Sequence, residues 1–455
     1  MAVSQNISET QGNQGGFWQN LSSRLDRSAA STFIMPSVLV VLVMSIFPLV
    51  VSLYIALTRV KIAAGGYDIS WLGLGNFEKL LFGREQRHLI GKIGEPTLLG
   101  WLIFGAVVAL LVWSLVRLIR ESEMSWAVGG SVTAVSILVA LLIGYLVNNY
   151  YAAQEIETLA STLGTVVFVA LGVFMLLRLL SLMFGGQLPQ GLGAIIGRLM
   201  AGTILLILTW VFVHTLTTTE VDGISTGLPG TLIVTLFFVF FGVLLQYLLG
   251  LGLALLVTQD IGLKRFFRVV FLLPMMITPV GVAYMFRMVS NTSIGPLGPL
   301  FGFIGLGDWA WSAEAGSARW AVVLGDTWQW TPFIFIVLVA AIEGLSRDQL
   351  EAAHVDGATG WQIFRYITLP QILPVSTTVI LIRLIEGFKV VDLPFVMTRG
   401  GPGTATESLT LHAYQAFKAS DFGGSAAVAY VLLFVVTFVA LNYANGIRKH
   451  VGEVA

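Results

Sequence analysis

The sequence contains no cysteine, and only 11 % of its 455 residues are charged. The absence of cysteine excludes disulfide bonds, thiol nucleophiles and sulfur-ligated metals. An average soluble domain has roughly 25 % charged residues, so this chain has too little charge to cover a water-exposed surface of its size. Its 25 basic and 25 acidic side chains balance, so no bulk positive field would attract nucleic acid. The histidines show no metal-type spacing, and we predict no metal site from them; they are His88, His214, His354, His412 and His450.

What the sequence has in abundance is hydrophobic residues, which make up 56 % of the chain and give a mean hydropathy of +0.85. Ten apolar runs are long enough to cross the ~30 Å hydrocarbon core of a bilayer as helices. They are Phe33–Leu57, Leu98–Leu118, Trp126–Val147, Thr162–Phe184, Ile195–Thr215, Thr231–Val257, Val269–Val289, Trp320–Ile342, Leu373–Val391 and Ala426–Tyr443. The fold class that we predict is therefore all-α, a polytopic membrane bundle of about ten transmembrane helices.

The distribution of basic residues predicts the orientation of these spans. Arg24 and Arg27 precede the first run, which is too long for a signal-peptide core, so we expect an uncleaved first span with a cytoplasmic N-terminus. Alternation then places the loops at 148–161 and 217–229 outside, and neither contains lysine or arginine. The segment 58–97 is the exception, because it would face outward with six basic residues.

The loop at 343–370, which alternation places in the cytoplasm, is far longer than a simple turn between two spans. Good helix formers precede Gly357, which permits a sharp turn, and a second stretch with an apolar side follows it. Pro370 is expected to start the next span. This pattern predicts a helix–turn–helix on the membrane surface. A plain surface helix that closes two spans is the alternative.

Residues 351–370 read EAAHVDGATGWQIFRYITLP, which resembles the EAA motif of ABC importer permeases. The resemblance implies that the loop is a coupling helix that docks into a separate cytoplasmic ATPase, with Glu351 pairing with a basic group and Gly357 shaping the turn. The expected ATPase-coupling residues are Glu351, Ala352, Ala353, Asp356, Gly357, Ala358, Phe364, Leu369 and Pro370. No Gly-x-x-x-x-Gly-Lys-Ser/Thr loop occurs, so this chain binds no nucleotide cofactor itself, and ATP and Mg²⁺ are expected on the partner.

Several other segments resemble the maltose-type, carbohydrate-importing branch of that family. They are FIMP at 33–36, SLYIALT at 52–58, WLGLGNF at 71–77, FFRVVFLLP at 266–274, FKVVD at 388–392, MTRGGPG at 397–403 and TESL at 406–409. The resemblance implies a six-helix permease core and a departure from it, because four extra spans lie in 82–228. We therefore expect a cytoplasmic segment (1–32), a first core span with an external segment (33–81), an inserted four-helix membrane module (82–228), a core permease domain (229–447, coupling loop 343–370) and a cytoplasmic tail (448–455).

The family resemblance also implies where the substrate path lies. The span before the coupling loop and the span after it line the pocket in maltose-type permeases. The matching positions are Gln329, Trp330, Phe333, Arg383, Glu386, Gly387 and Val390. Aromatic rings would stack on a sugar while the polar groups bond its hydroxyls. The alternatives are that the aromatic residues only pack against lipid or core, and that Arg383 and Glu386, at i and i+3, only neutralise each other.

The function expected from the resemblance is a non-catalytic permease subunit of an ATP-driven importer in the bacterial inner membrane, with both termini in the cytoplasm. The expected substrate is a sugar or related polyhydroxy solute, an oligosaccharide or an α-glucoside among the candidates. The expected partners are a second permease, two copies of the ATPase, an external or periplasmic binding protein and membrane lipid, but no nucleic acid. A secondary active transporter is the alternative. An intramembrane enzyme has only GISTG at 223–227 in its favour, a Gly-x-Ser-x-Gly match that lacks the required strand–helix context.

Overall fold

A computed structural model describes residues 35–121 and 205–451, apart from short gaps at 64–65, 82, 93, 206–208, 218–219, 222–223, 226–227, 260–261, 263, 293–294 and 306–310. The predicted cytoplasmic segment 1–32, the spans Trp126–Val147 and Thr162–Phe184, and the greater part of Ile195–Thr215 lie outside the described residues. So do the last four residues of the predicted tail.

The described elements are mostly helices. In chain order the first group is α1 (Met35–Ala56), β1 (Thr58–Ala63), β2 (Gly66–Trp71), α2 (Gly75–Leu81), α3 (Gln86–Ile90), β3 (Gly91–Lys92) and α4 (Leu98–Glu121). After a helical segment at 209–216 come β4 (Glu220–Val221), β5 (Ile224–Ser225), β6 (Leu228–Pro229), α5 (Thr231–Thr258), α6 (Lys264–Met276), α7 (Pro279–Val289) and α8 (Gly298–Phe303). The last group is α9 (Ala315–Glu343), α10 (Arg347–Val355), α11 (Gly360–Ile363), α12 (Leu369–Gly387), α13 (Asp392–Thr398), α14 (Leu409–Lys418) and α15 (Phe422–Val451).

Within the described residues, five helices are long and apolar enough to cross a membrane. They are α1, α5, α9, the continuous helix Gly360–Gly387 and the first part of α15. One further core span was predicted as the straight run Val269–Val289. The structure has two helices there, α6 and α7, whose axes are bent by 96° relative to each other. The reason is local: Pro279 holds the preceding Thr278 in an extended conformation, and the Thr278 hydroxyl then caps α7 by accepting from the Gly281 N–H at 3.3 Å.

Helices α5 and α9 form the centre of the bundle. They approach closely at Gly250, where an added Cβ would lie 2.9 Å from Ile334 Cγ2 and 3.2 Å from the backbone nitrogen of Phe335. Ile334, Phe335 and Leu338 are fully buried there. Small residues allow such backbone approach between transmembrane helices, where van der Waals packing drives association. The core of the fold is therefore a tight pair of helices around which the other spans pack.

The first and last described helices, α1 and α15, lie against each other. The Ser52 and Tyr430 hydroxyls are 3.2 Å apart across this contact. Where α1 ends, Asn76 of α2 donates to the carbonyl oxygens of Ala56 and Thr58, both at 2.8 Å. A Cβ on Gly423 would lie 2.4 Å from that Thr58 oxygen, so α15 begins directly against this turn. Strands β1 and β2, which were not predicted from the sequence, pair antiparallel with Thr58 opposite Trp71.

The two ends of segment 82–228 meet. Strand β3 pairs antiparallel with β6, with Gly91 opposite Pro229 and Lys92 opposite Leu228. Beyond them, the Gly94 N–H donates to the His214 oxygen at 2.8 Å. The chain thus leaves the core at β3 and returns at β6, next to the point where it left.

Candidate functional site

Three helices of the core are joined by a closed triad of polar side chains. Arg383 of α12 donates from Nε to Gln246 Oε1 of α5 at 2.8 Å and from Nη2 to Asp326 Oδ2 of α9 at 3.3 Å. Gln246 completes the triad by donating to the same Asp326 oxygen at 2.7 Å. A Cβ on Gly242 would lie only 3.2 Å from that oxygen, so the glycine leaves room for the carboxylate. Each side chain thereby gives hydrogen bonds to the polar or charged groups of the others, whose burial without a partner would cost free energy.

Two members of the triad, Gln246 and Asp326, lie in the interior of long helices, whereas Arg383 is four residues from the end of α12. Gln246 is 15 residues from the start of α5 and Asp326 is 11 residues from the start of α9, which correspond to about 22 Å and 17 Å of helix. The Arg383 side chain is 2 % exposed and that of Asp326 is 14 % exposed. A buried ion pair at this depth is the usual mark of a substrate or ion pathway in a membrane protein.

A cavity of ≈ 160 Å³ opens beside the triad. Its lining combines charged and aromatic side chains with apolar ones: Pro279, Asp326, Trp330, Arg383, Glu386, Lys389, Val390, Val391, Asp392 and Leu393. The Arg383 guanidinium carbon lies 4.6 Å from the centre of the Trp330 ring, so one face of the indole is covered by the cation. Polar groups, an aromatic ring and apolar walls therefore converge on one space inside the bundle.

Four of the seven residues predicted for the substrate path line this cavity: Trp330, Arg383, Glu386 and Val390. One alternative was that Arg383 and Glu386 only neutralise each other. In the structure the two side chains have different partners. Arg383 bonds the triad, and Glu386 instead pairs with Lys389 at 2.6 Å, where both side chains are well exposed. Both side chains line the cavity, but Arg383 is held by Gln246 and Asp326 and Glu386 is held by Lys389.

The other three predicted path residues lie elsewhere. Gln329 is buried and donates to the Ile277 oxygen at 3.2 Å, which ties α9 to the bend between α6 and α7. Phe333 packs against a cluster around Ile334, and Gly387 lies against Val239 of α5. These three residues hold helices together next to the cavity.

Sequence reasoning missed Gln246 and Asp326, which complete the triad. Each is a polar residue in the interior of an apolar run, and that alone is a signal for function in a membrane span. Asp326 also precedes Trp330 by four residues, which places both on one face of a helix.

The predicted helix–turn–helix after α9 is present as α10 and α11. Two motifs set its turn. At the end of α10, Gly357 has φ +77°, its N–H donates to the His354 oxygen at 3.1 Å, and the Ala358 N–H donates to the Ala353 oxygen at 3.0 Å. This is the glycine-dependent Schellman pattern of helix ends. Thr359 then starts α11 with a capping box, exchanging hydrogen bonds with Gln362 at 3.3 and 2.7 Å.

The turn presents its motif residues to solvent. Glu351, Ala352, Asp356 and Gly357 are exposed, whereas Ala353 is buried and Ala358, Phe364, Leu369 and Pro370 are half-buried. An apolar edge stands beside them, because Val355, Trp361 and Tyr366 are 87, 70 and 74 % exposed. An exposed cluster of large apolar side chains next to a carboxylate is a surface suited to a protein partner.

Pro370 does not start a separate span, contrary to the sequence prediction. The helix continues from Gly360 to Gly387 through a π turn at Phe364–Thr368, in which the Leu369 N–H donates to the Phe364 oxygen. The wider turn accommodates a proline, which has no N–H and would crowd the carbonyl four residues before it. The turn around Gly357 therefore leads directly into one continuous helix that carries Arg383.

A multi-helix membrane fold with a central polar cavity and an exposed turn for a partner defines a class, the membrane-embedded subunits of transport systems. Residues 246–448 match the family described as the binding-protein-dependent transport system inner membrane component. The trehalose/maltose transport system permease protein MalF of Thermococcus litoralis is 32 % identical over 212 residues, which are 46 % of this chain and 72 % of that protein.

Two further proteins extend the comparison. The probable starch degradation products transport system permease protein AmyD of Thermoanaerobacterium thermosulfurigenes is 31 % identical over 202 residues, 42 % of this chain and 65 % of that one. A solved bacterial ABC transporter involved in the import of the acidic polysaccharide alginate aligns at 24 % identity over 48 % of this chain and 78 % of the other, with a TM-score of 0.44.

This chain belongs to the family of binding-protein-dependent transport system inner membrane components. The resemblance found in the EAA motif is thereby confirmed, as are the all-α membrane fold and the assignment as a permease subunit of an ABC importer. The chain is a non-catalytic, multi-pass inner-membrane protein, and transport by its family depends on a binding protein.

Proposed function

We propose that this chain and a second homologous permease form the path by which a sugar or related polyhydroxy solute enters the cell, the solute being delivered by an external binding protein. Two copies of an ATPase would drive the path between inward-open and outward-open states. ATP would act by binding one of these states more tightly. The single observation that carries the proposal is the cavity beside the Arg383–Asp326–Gln246 triad, which joins three helices of the core.

The chemistry of the cavity suits a polyhydroxylated ring. Trp330 lines the cavity, where its ring would stack on the C–H face of a sugar while Arg383 lies over the ring. Glu386 and Lys389 at the cavity wall offer an acceptor and donors for hydroxyl groups, which must not be left unpaired when they leave water. Two relatives are named as permeases for trehalose and maltose and for starch degradation products. These names favour α-linked glucosides as the substrate class.

We place the turn around Gly357 in the cytoplasm, where it would dock with the ATPase and where Glu351 would meet a basic group. The basic residues that follow the positive-inside rule support this orientation. Arg268, at the start of α6, pairs with Glu343 at the end of α9, which gathers the basic start of α6 at the same end of the bundle as the turn. Both chain termini would then also be cytoplasmic.

We propose that 82–228 is a membrane module inserted into a six-helix core, with 33–81 and 229–447 forming that core. The pairing of β3 with β6 supports this division, because an insertion that starts and ends at neighbouring points leaves the core connections unchanged.

The test is uptake by proteoliposomes that contain this chain, its second permease and the ATPase, with the binding protein outside. Radiolabelled trehalose, maltose and a longer α-glucan would be compared with a non-sugar osmolyte. We expect ATP-dependent uptake of at least one glucoside. Trp330→Leu should weaken uptake of the sugar, whereas Phe333→Leu, at a ring packed in the core, should not. Uptake driven by an ion gradient without the ATPase would instead establish a secondary transporter.

A further inference from the structure

Outside the cavity, two histidines and a glutamate from distant parts of the chain form a compact cluster. His88 belongs to α3, just before the chain leaves the core at β3. Glu407 lies in the connection that leads into α14, and His412 lies in the first turn of α14. The Nε2 atom of His88 lies 2.9 Å from Glu407 Oε2, and Nδ1 of His412 lies 3.0 Å from Glu407 Oε1. The two imidazole rings stack with their centres 4.3 Å apart.

The donor atoms of this cluster fit a divalent transition metal. One nitrogen from each histidine and one carboxylate oxygen all lie within 4.8 Å of one another. Two imidazoles and a carboxylate are ligands that Zn²⁺ accepts at about 2.0–2.2 Å, and a tetrahedral site then needs only one further ligand, such as water. Donor atoms around such an ion are about 3.3 Å apart, so the two contacts with Glu407 are already close to the separation that the ion requires.

The environment of the cluster favours an ion over a merely polar patch. The Glu407 side chain is 4 % exposed, and that of His412 is 13 % exposed, whereas His88 is 32 % exposed and gives the site access to water. The buried carboxylate of Glu407 thus lies between two imidazoles, and each of its oxygens is within 3.0 Å of a ring nitrogen.

We propose that His88, Glu407 and His412 form a binding site for a borderline divalent cation of the Zn²⁺ type. On binding, each imidazole gives its lone pair to the metal from the nitrogen that now faces Glu407, and the ring proton resides on the other nitrogen. The N–H bond on the nitrogen that faces Glu407, which made the hydrogen bond to that carboxylate, therefore breaks in each ring. Its proton passes to solvent, and a ring whose other nitrogen carried no proton takes one up there, so each ring keeps one proton.

Such an ion would tie together two parts of the molecule that are otherwise separate in sequence. One is the base of segment 82–228, where β3 pairs with β6. The other is the connection after α13, which follows the helix that carries Arg383. The ion would therefore fasten the base of the inserted segment to the chain that follows the cavity wall, independently of what the cavity transports.

The experiment measures Co²⁺ and Zn²⁺ binding to the full permease complex in lipid nanodiscs, by calorimetry and by the visible absorption of bound Co²⁺. We expect one saturable site per chain. The variants His88→Gln, Glu407→Gln and His412→Gln should each weaken binding at least about tenfold. The matched control is His354→Gln, at an exposed histidine of α10 that lies outside the cluster. The absence of saturable binding, or equal affinity in all variants, would overturn the proposal.

A second measurement needs no variant of the cluster and so does not depend on whether a variant folds. Diethyl pyrocarbonate modifies accessible histidines, and the modified positions are read by mass spectrometry. Zn²⁺ should slow modification of His88 while leaving His354 unchanged. Equal modification of His88 with and without Zn²⁺ would show that the metal is not bound there.

Discussion

The triad at the centre of the bundle makes a quantitative prediction. Replacing Asp326 with leucine leaves the Arg383 guanidinium buried without its carboxylate. Removal of one partner of a buried ion pair destabilises a fold by about 3–5 kcal/mol. Arg383 would keep its bond to Gln246 and its contact with Trp330, and the adjoining cavity admits water, so the lower end of this range applies. We expect a loss of about 3 kcal/mol.

The double variant Asp326→Leu with Arg383→Leu separates the charge from the packing. Once both charges are gone, no unpaired ion remains in the bundle, and apolar replacements of buried pairs are often neutral or stabilising. We therefore expect the double variant to recover most of the lost stability, although its cavity would no longer bind substrate normally. A coupling free energy of this kind is what a double-mutant cycle measures.

The control lies in the same cavity. Glu386 pairs with Lys389, and their side chains are 42 and 56 % exposed, so Glu386→Gln should change stability by less than about 1 kcal/mol.

The assay is thermal unfolding of the purified complex in nanodiscs, followed by loss of folded permease after heating. A loss of 3 kcal/mol corresponds to roughly 6–12 °C if 1 kcal/mol shifts the midpoint of a domain this large by about 2–4 °C. Equal unfolding temperatures for Asp326→Leu and Glu386→Gln would contradict the predicted loss of stability. A double variant as unstable as Asp326→Leu alone would contradict the predicted recovery.

Three further predictions concern other parts of the molecule. Gly250→Ala should lower the free energy of unfolding by about 1–3 kcal/mol, because the new methyl group would push α5 from α9, whereas Gly252→Ala, with open space around it, should be neutral or stabilising. At Gly357, alanine should reduce ATP-coupled uptake more than asparagine, since the φ of +77° costs alanine about 1–2 kcal/mol and asparagine less. Asp421→Ala should destabilise by about 1 kcal/mol more than Asp421→Asn, because asparagine keeps the cap of α15 and loses only the exposed pair with Lys79.

The Asp421 prediction has a pH dependence of defined sign. Burial opposes its charge, but the Gly424 N–H and Lys79 together lower its pKa below the usual value. The stabilisation is therefore complete above the ordinary carboxyl pKa of about 3.9 and is lost as the pH falls below it. The difference between wild type and Asp421→Asn should be constant above about pH 5 and shrink in more acidic buffer. A difference that grows as the pH falls would contradict this.

The predictions for Gly250 and Gly357 are tested by different assays. Helix packing at Gly250 is followed by thermal unfolding, and equal midpoints for the Gly250 and Gly252 variants would contradict the close contact. Coupling at Gly357 is followed as the ratio of sugar transported to ATP hydrolysed. A variant Gly357→Asp that left this ratio and complex assembly unchanged would show that the turn does not couple the two processes.

The coupling turn could be predicted from sequence because its determinants are local. Gly357 and the Thr359–Gln362 capping box lie within six residues of one another, and short-range hydrogen bonds alone define the geometry. The long apolar helices could be predicted for the same reason. The bend at Thr278 was missed because hydropathy averages over a window and does not register a single X-Pro step.

The partners of Arg383 could not be predicted, because they depend on which helices meet. Gln246 and Asp326 lie 137 and 57 residues away in sequence, and the nearer acidic residue, Glu386, made a plausible but wrong partner. The same limit applies to His88 and His412, whose spacing in the chain gives no hint that their rings stack. Contacts between distant elements are fixed by packing, which a one-dimensional pattern does not record.

The unbroken helix from Gly360 to Gly387 has a mechanical consequence. Its 28 residues make a rod about 42 Å long. The turn around Gly357 precedes one end, and Arg383 lies about 35 Å along the rod. A rigid helix of this length transmits movement. If it tilts by a few degrees about its Gly360 end, the Arg383 guanidinium shifts by an ångström or more relative to the Asp326 oxygen, and the helix itself does not change. The π turn at Phe364–Thr368 is the place where such a tilt could be absorbed, so its stiffness would set how much of a movement at the Gly357 turn reaches Arg383.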